Sequence, residues 1–228
     1  MSFTDGREYD NAASAVNYLG TTSQTYGDQY NPKAEWAIGS QNVSYQLVSS
    51  FLYQLPFGHG KPYLNGAGRG TNLILGGWQI GGLENWSTGV PIVLGSVDNG
   101  TTPESIFTQA QRPAWDGKSA KVSSPSRKLW FNPAVFSKPA PYTIGNAPRA
   151  LADVHNPDNQ AFDFSVIKNT QFGERYRVQF RIEMFNAFNH PTPGGPDTGV
   201  NNSTFGTISS GSFSNSARQI QLAAKLLF

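Results

Sequence analysis

Two glycine-rich stretches carry the residue types of phosphate-binding loops. Gly66-Ala67-Gly68-Arg69-Gly70 has the close glycines that let a backbone approach a pyrophosphate, and Gly58-His59-Gly60-Lys61 has the glycine–lysine ending of a nucleotide loop. Neither is complete. The first lacks the final spacing and is followed by no helical pattern. In the second, Pro62 stands where a Ser or Thr should meet magnesium. Both read as turns. His59, His155 and His190 are scattered among Pro-, Gly- and Asn-rich segments without metal-ligand spacing. Asp153, Asp158 and Asp163 lie near one another and could collect calcium, but the EF-hand spacing is absent and they read as ordinary loop acids. No serine sits in a Gly-x-Ser-x-Gly turn, and no carboxylate pair stands apart. The residues therefore predict no enzyme, no cofactor and no metal site. A hydrolase with Asp153, Asp158 and Asp163 brought together by loops is the third-ranked alternative.

Aromatic side chains offer a different chemistry. Trp78, Trp86, Trp130, Phe131, Tyr142 and Tyr176 could stack on a sugar, line a soluble core, or mark a membrane–water interface, where a ring with a polar tip is at home. Composition bears on that choice. The chain has 13% aromatic and 14% charged residues, against about 25% charged in ordinary soluble domains. Its outer surface is thus short of ionic groups. Net charge is +2, from 17 basic and 15 acidic residues, without a basic stripe, so nucleic acid is not an expected partner. The absence of cysteine excludes disulfides, Cys-ligated zinc and thiol nucleophiles.

The elements that must position these groups are strands. From Arg218 onward, Ile220, Leu222, Ala224, Leu226 and Phe228 share one face, while Gln219, Gln221, Ala223 and Lys225 share the other, with Leu227 the exception. From Arg175 to about Ala187, Tyr176, Val178, Phe180, Ile182 and Met184 alternate with Arg175, Arg177, Gln179, Arg181 and Glu183. In a sandwich this alternation means core against water; in a membrane barrel it means lipid against a wet lumen. Phe162, Phe164 and Val166 begin a partner strand, with turn chemistry assigned to Lys168–Glu174, so residues 160–187 are predicted to form a hairpin. Further strands are expected from Tyr45 to Leu55, stopping at Pro56, and from Trp78 to Trp86. Residues 95–150 and 188–217 read as long polar loops with little regular structure, and no helix is predicted. Long strands joined alternately by short turns and long loops favour an outer-membrane barrel over a sandwich.

An ordered series of segments carries a family resemblance. Gly76-Gly77-Trp78-Gln79, Trp86-Ser87-Thr88-Gly89-Val90-Pro91 and Trp130-Phe131-Asn132-Pro133 are followed by Tyr142-Thr143-Ile144-Gly145-Asn146-Ala147-Pro148-Arg149 and Phe172-Gly173-Glu174-Arg175. The most specific run is Gln179-Phe180-Arg181-Ile182-Glu183-Met184-Phe185-Asn186-Ala187-Phe188-Asn189-His190-Pro191. Phe205-Gly206-Thr207-Ile208 and Ala217-Arg218-Gln219-Ile220-Gln221-Leu222 complete it. From about residue 30 to 228 the chain resembles TonB-dependent outer-membrane receptors of the Oar-like type. The resemblance implies a barrel of about 22 strands, plugged by an amino-terminal domain, that takes up a scarce ligand with energy relayed from the inner membrane.

The expected fold is therefore all-β: one antiparallel, long-stranded sheet over residues 1–228, the carboxy-terminal part of a large outer-membrane barrel, open or partial in this piece. Met1 is followed by no signal-peptide pattern, and no plug is recognisable, so Met1 is not expected to be the natural beginning of the polypeptide. Tyr176, Val178, Phe180, Ile182 and Met184 are expected to face lipid, and Arg177, Gln179, Arg181 and Glu183 the lumen. The resemblance also implies that the barrel-assembly machinery reads Ile220, Leu222, Ala224, Leu226 and Phe228. Expected partners are outer-membrane lipid, that machinery, the remaining amino-terminal strands and plug of the parent receptor, and an unidentified transported ligand. The runner-up is a soluble or surface β-sandwich binding carbohydrate through its aromatics.

Overall fold

The structure is a computed structural model and describes residues 1–11, 31–97, 112–173 and 175–228. Its strands, in chain order, are β1 (Ser2–Asp5), β2 (Tyr9–Asp10), β3 (Ala37–Ile38), β4 (Tyr45–Gln54), β5 (Trp78–Ser87), β6 (Pro91–Ile92), β7 (Ala114–Trp115), β8 (Phe136–Ser137), β9 (Leu151–His155), β10 (Asn159–Phe172), β11 (Tyr176–Phe185) and β12 (Gln219–Leu227). Six of them form one antiparallel sheet in the order β1-β4-β5-β10-β11-β12. The sheet is open, with β1 and β12 at its edges. Among the described residues no second long-stranded sheet covers it, which is what a sandwich would require.

The alternation read from the sequence fixes this register, because a slip of one residue would exchange the two faces of a strand. The ladder between β11 and β12 opposes Val178 to Leu226, Phe180 to Ala224, Ile182 to Leu222 and Met184 to Ile220. Apolar meets apolar at each of these pairs. Strand β10 corrects the expected turn. It continues through Lys168 to Phe172, so only Gly173 and its neighbours make the connection. Gly173 sits at φ 65°, where a Cβ is disfavoured. Glu174, placed in the expected turn, lies outside the described residues. Asn169, Thr170 and Gln171 lack apolar alternation, yet the ladder to Gln179, Val178 and Arg177 holds them extended.

A short α-helix, α1 (Arg69–Leu75), departs from the helix-free expectation. Its seven residues include Gly70 and allow barely two turns, too few for a 3.6-residue pattern to register. It is held from outside: the Asn72 side chain accepts the backbone N–H of His59 at 2.7 Å, and Trp78 Nε1 donates to Ile74 O at 2.8 Å.

The described parts of the loop over residues 95–150 correct the expectation of an irregular segment; residues 98–111 lie outside the described residues. Ile92, Leu94, Ala120, Phe131, Val135, Phe136, Ala147, Leu151 and Val154 form a buried cluster, with Trp115, Trp130, Val200 and Phe205 packed against it. Strand β6 pairs with β9 and β7 with β8. The second long loop joins this unit: Trp130 N donates to Gly206 O, Ile208 N to Arg127 O, and Gly95 N to Thr198 O. The main apolar core thus lies in the loops. Its residues are spread singly or in adjacent pairs along two long segments, so no periodicity announces it.

A two-faced wall and a folded cap

The six-stranded sheet has two chemically opposite faces. On one, register rows run Tyr53–Ile80–Val166–Ile182–Leu222 and Phe51–Gly82–Phe164–Met184–Ile220 across five strands. These are the side chains a soluble protein would bury. Here Phe51, Tyr53, Tyr176, Phe180 and Ile182 are exposed, as are Ile220, Leu222 and Leu226, with Leu222 at 74%. Together they make a contiguous apolar surface, which soluble monomers rarely show. Gly82 leaves room in this surface for aromatic rings: a Cβ there would overlap Phe51 and press on Phe162.

The opposite face carries Leu52–Gly81–Ser165–Glu183–Gln221 and Asn169–Gln179–Lys225. Its polar groups bond to one another. Gln179 Nε2 donates to Asn169 Oδ1 at 2.9 Å, while Arg181 donates to Glu183 Oε1 at 3.2 Å and to Gln179 Oε1 at 3.3 Å. Arg177, Gln179, Arg181 and Glu183 therefore share one side of β11, and Val178, Phe180, Ile182 and Met184 share the other. The departures are Val48, Leu52, Leu83, Ile167, Phe185 and Leu227 on the polar side, and Glu84 and Lys168 on the apolar side. Lys168 is buried; its ammonium reaches the Gly76 carbonyl and lies 5.4 Å from the Trp78 ring centre.

Strand length matches a membrane. Strands β4, β5 and β11 have ten residues each, and β12 has nine, within the roughly 9–11 needed to cross a bilayer at a tilt. Trp78 and Trp86 point to the same face at opposite ends of β5, about 27 Å apart along the strand. Tyr45 and Tyr53 bracket β4 in the same way. Of the aromatics that could mark an interface, these tryptophans and Tyr176 lie on the sheet, whereas Phe131 and Trp130 are corrected to the loop core. Phe131 is fully buried, edge-on to Phe205 with ring centres 5.2 Å apart. Trp130 Nε1 donates to His155 O at 2.8 Å. Tyr142 is exposed.

The two ends of the sheet differ. The turn at Gly173 and the connection over residues 55–77 leave from one end; the described segments over residues 88–97, 112–158 and 186–218 lie at the other and fold into the cap. Within the cap, burial pushes the His155 imidazole below its usual range, against the opposing pull of Asp158 and Asp153. Asp197 is held below the usual carboxylate range, first by the Thr204 hydroxyl and then by the Gly199 N–H. Burial also lowers Arg149, which pairs with Asp10 and ties β2 to the cap.

Of the three acids read as loop residues, Asp153 lies in β9 and Asp163 in β10, because the strands extend through them, and each of the three has its own donor. Asp153 accepts from Ser119 Oγ and Ala120 N, Asp158 from Gly89 N, and Asp163 from Asn186 N. Among the described residues no group of three or more His, Asp or Glu side chains could hold a metal ion. Sequence reasoning missed β1, the cap core and the cation Lys168 on the apolar face. Four residues are too few for alternation to mark β1 as a strand.

A family model described as an outer membrane beta barrel domain matches residues 1–221. No curated protein and no solved structure matches the chain. With both wall faces and strand lengths of this kind, the chain belongs to the outer membrane beta barrel domain family and forms part of a barrel wall in the bacterial outer membrane.

Proposed function

We propose that this wall belongs to a TonB-dependent, Oar-like receptor for ligand uptake, in which the chain supplies the carboxy-terminal strands. The observation that carries the wall's orientation is the opposition of faces on β11 and β12, one exposed and apolar, the other polar and, on β11, hydrogen-bonded side chain to side chain. Tyr176, Val178, Phe180, Ile182 and Met184 then meet lipid, and Arg177, Gln179, Arg181 and Glu183 line the lumen. The short-turn end is periplasmic and the cap extracellular, following the loop asymmetry of such barrels. The cap is the part that first meets the ligand. Ile220, Leu222, Ala224, Leu226 and Phe228 serve as the signal to the assembly machinery. On this reading the chain is a structural wall with no catalytic step and no cofactor of its own.

Support for the receptor class comes from the ordered motifs from Gly76 to Leu222, read together with the barrel family. Active uptake makes a specific demand. Cells carrying the complete receptor should deplete one solute from a defined medium, followed by mass spectrometry, and a proton uncoupler should stop them. Depletion that survives the uncoupler would sink energised uptake and leave a passive barrel.

A further inference from the structure

At the short-turn end, β10 runs on past β5 and leaves a cleft of about 530 Å³. One side is the overhanging segment Asn169–Phe172. The other is the 55–77 connection, with α1 and the His59–Lys61 turn. Lys61, Arg69, Lys168 and His59 line the cleft, and no acidic side chain does so among the described residues. Neither Lys61, Arg69 nor Lys168 forms an ion pair with a described residue. Lys61 Nζ donates to the neutral Gln54 amide at 2.8 Å. Lys168 meets a backbone carbonyl with one of its three N–H donors. Cations gathered with no counter-charge among the described residues have a field that favours an anion.

The surroundings say which anion. Lys168 and Trp78 lie on the apolar face of the wall, and Leu73 lines the cleft. Ile74, at 67% exposure, and Leu75 stand exposed on the adjoining helix. A cationic cleft edged by apolar side chains and an indole, at the end of a membrane-spanning sheet, has the chemistry of the headgroup level. We propose that this cleft binds the phosphate of an anionic phospholipid, with Lys61, Arg69 and Lys168 around the phosphate oxygens and Leu73 and Ile74 against the upper acyl chains. The Gly58–Lys61 segment, which reads as a turn in the sequence, thereby gains a role through its lysine. The proposal rests on the apolar face meeting lipid.

The test uses the complete barrel that contains this chain, because the sheet alone has two open edges, inserted into phosphatidylcholine bilayers containing a minor fraction of phosphatidylglycerol. Native mass spectrometry reads the lipids that remain bound, and a folded-band gel shift reads insertion. Wild type should retain phosphatidylglycerol above its share of the bilayer. Each surface cation near anionic lipid is worth roughly fivefold, so Lys61→Gln with Arg69→Gln should cut that preference by at least about fivefold. Neither residue lies in a strand, so the gel shift should be unchanged. An unaltered preference in the double variant would overturn the site. So would loss of the preference on adding millimolar inorganic phosphate, which would make the occupant a free anion. Failure of the wild-type complete barrel to give a folded band would instead strike at the lipid-facing assignment, and the proposal would fall with it.

Discussion

Ile182→Arg is the sharpest test of which way the wall faces. Ile182 lies between Val166 and Leu222 in a row that stays free of charge across five strands. Phe180, the residue at the centre of the β11 alternation, is less suitable: it opposes Lys168, so a cation already stands beside it. The depth of Ile182 follows from geometry. Six residue steps from Tyr176 at about 3.4 Å give about 20 Å along the strand, or about 14 Å along the membrane normal at a tilt near 45°. The apolar band is about 25 Å tall, which puts Ile182 within about 2 Å of its middle. Arginine there should cost about 2–4 kcal/mol, a factor of roughly 30 to 900 in the folding equilibrium. Gln221→Arg is the matched control, next to Leu222 but on the polar side and opposite Glu183; it should change stability by no more than about 0.5 kcal/mol. Urea titration of the complete barrel containing this chain, in lipid vesicles and read by tryptophan fluorescence, measures both. Equal effects of the two substitutions would refute the orientation. A cost for Ile182→Arg no larger than that of an ordinary surface change would mean that the apolar face meets water.

Three further outcomes follow from particular contacts. Phe131→Ala empties the centre of the cap and should destabilise it by about 3–5 kcal/mol, seen as protease cleavage within residues 112–158 while bilayer insertion is retained; cleavage unchanged from wild type would remove Phe131 from the core. His155 has a folded-state pKa below its unfolded one, because burial disfavours the cation, so the unfolded cap binds more protons between the two values. Cap stability is therefore full above the unfolded value of about 6.5 and falls as pH drops below it. His155→Gln should flatten that decline in near-ultraviolet circular dichroism, and a decline of the same size in the variant would exclude this imidazole as its cause. Phe228 is 95% exposed and makes little of the fold. Phe228→Ala should slow assembly into the outer membrane in pulse–chase labelling yet leave the urea midpoint of assembled protein unchanged; normal assembly kinetics would remove its role as a signal.

The wall is legible in the amino-acid order alone. Period-two alternation is a local property, set by successive side chains pointing to opposite faces of a strand, so β11 and β12 declare which residues share a face without reference to any neighbour. Composition points to the same class, because a sheet that needs no charged outer surface has few ions and many rings. Whatever depends on meetings between distant residues is settled only by the folded chain. The cap core joins Ile92 to Phe131, Leu151 and Phe205, single apolar residues too far apart in sequence for any spacing to link them. The polar tract Asn169–Gln171 is a strand because β11 pairs with it, overriding its own turn-like chemistry. Lys61, Arg69 and Lys168 share a cleft because β10 outruns β5 and α1 folds beside the overhang. Charge in a sequence is local, but the field it makes depends on which cations the fold brings together.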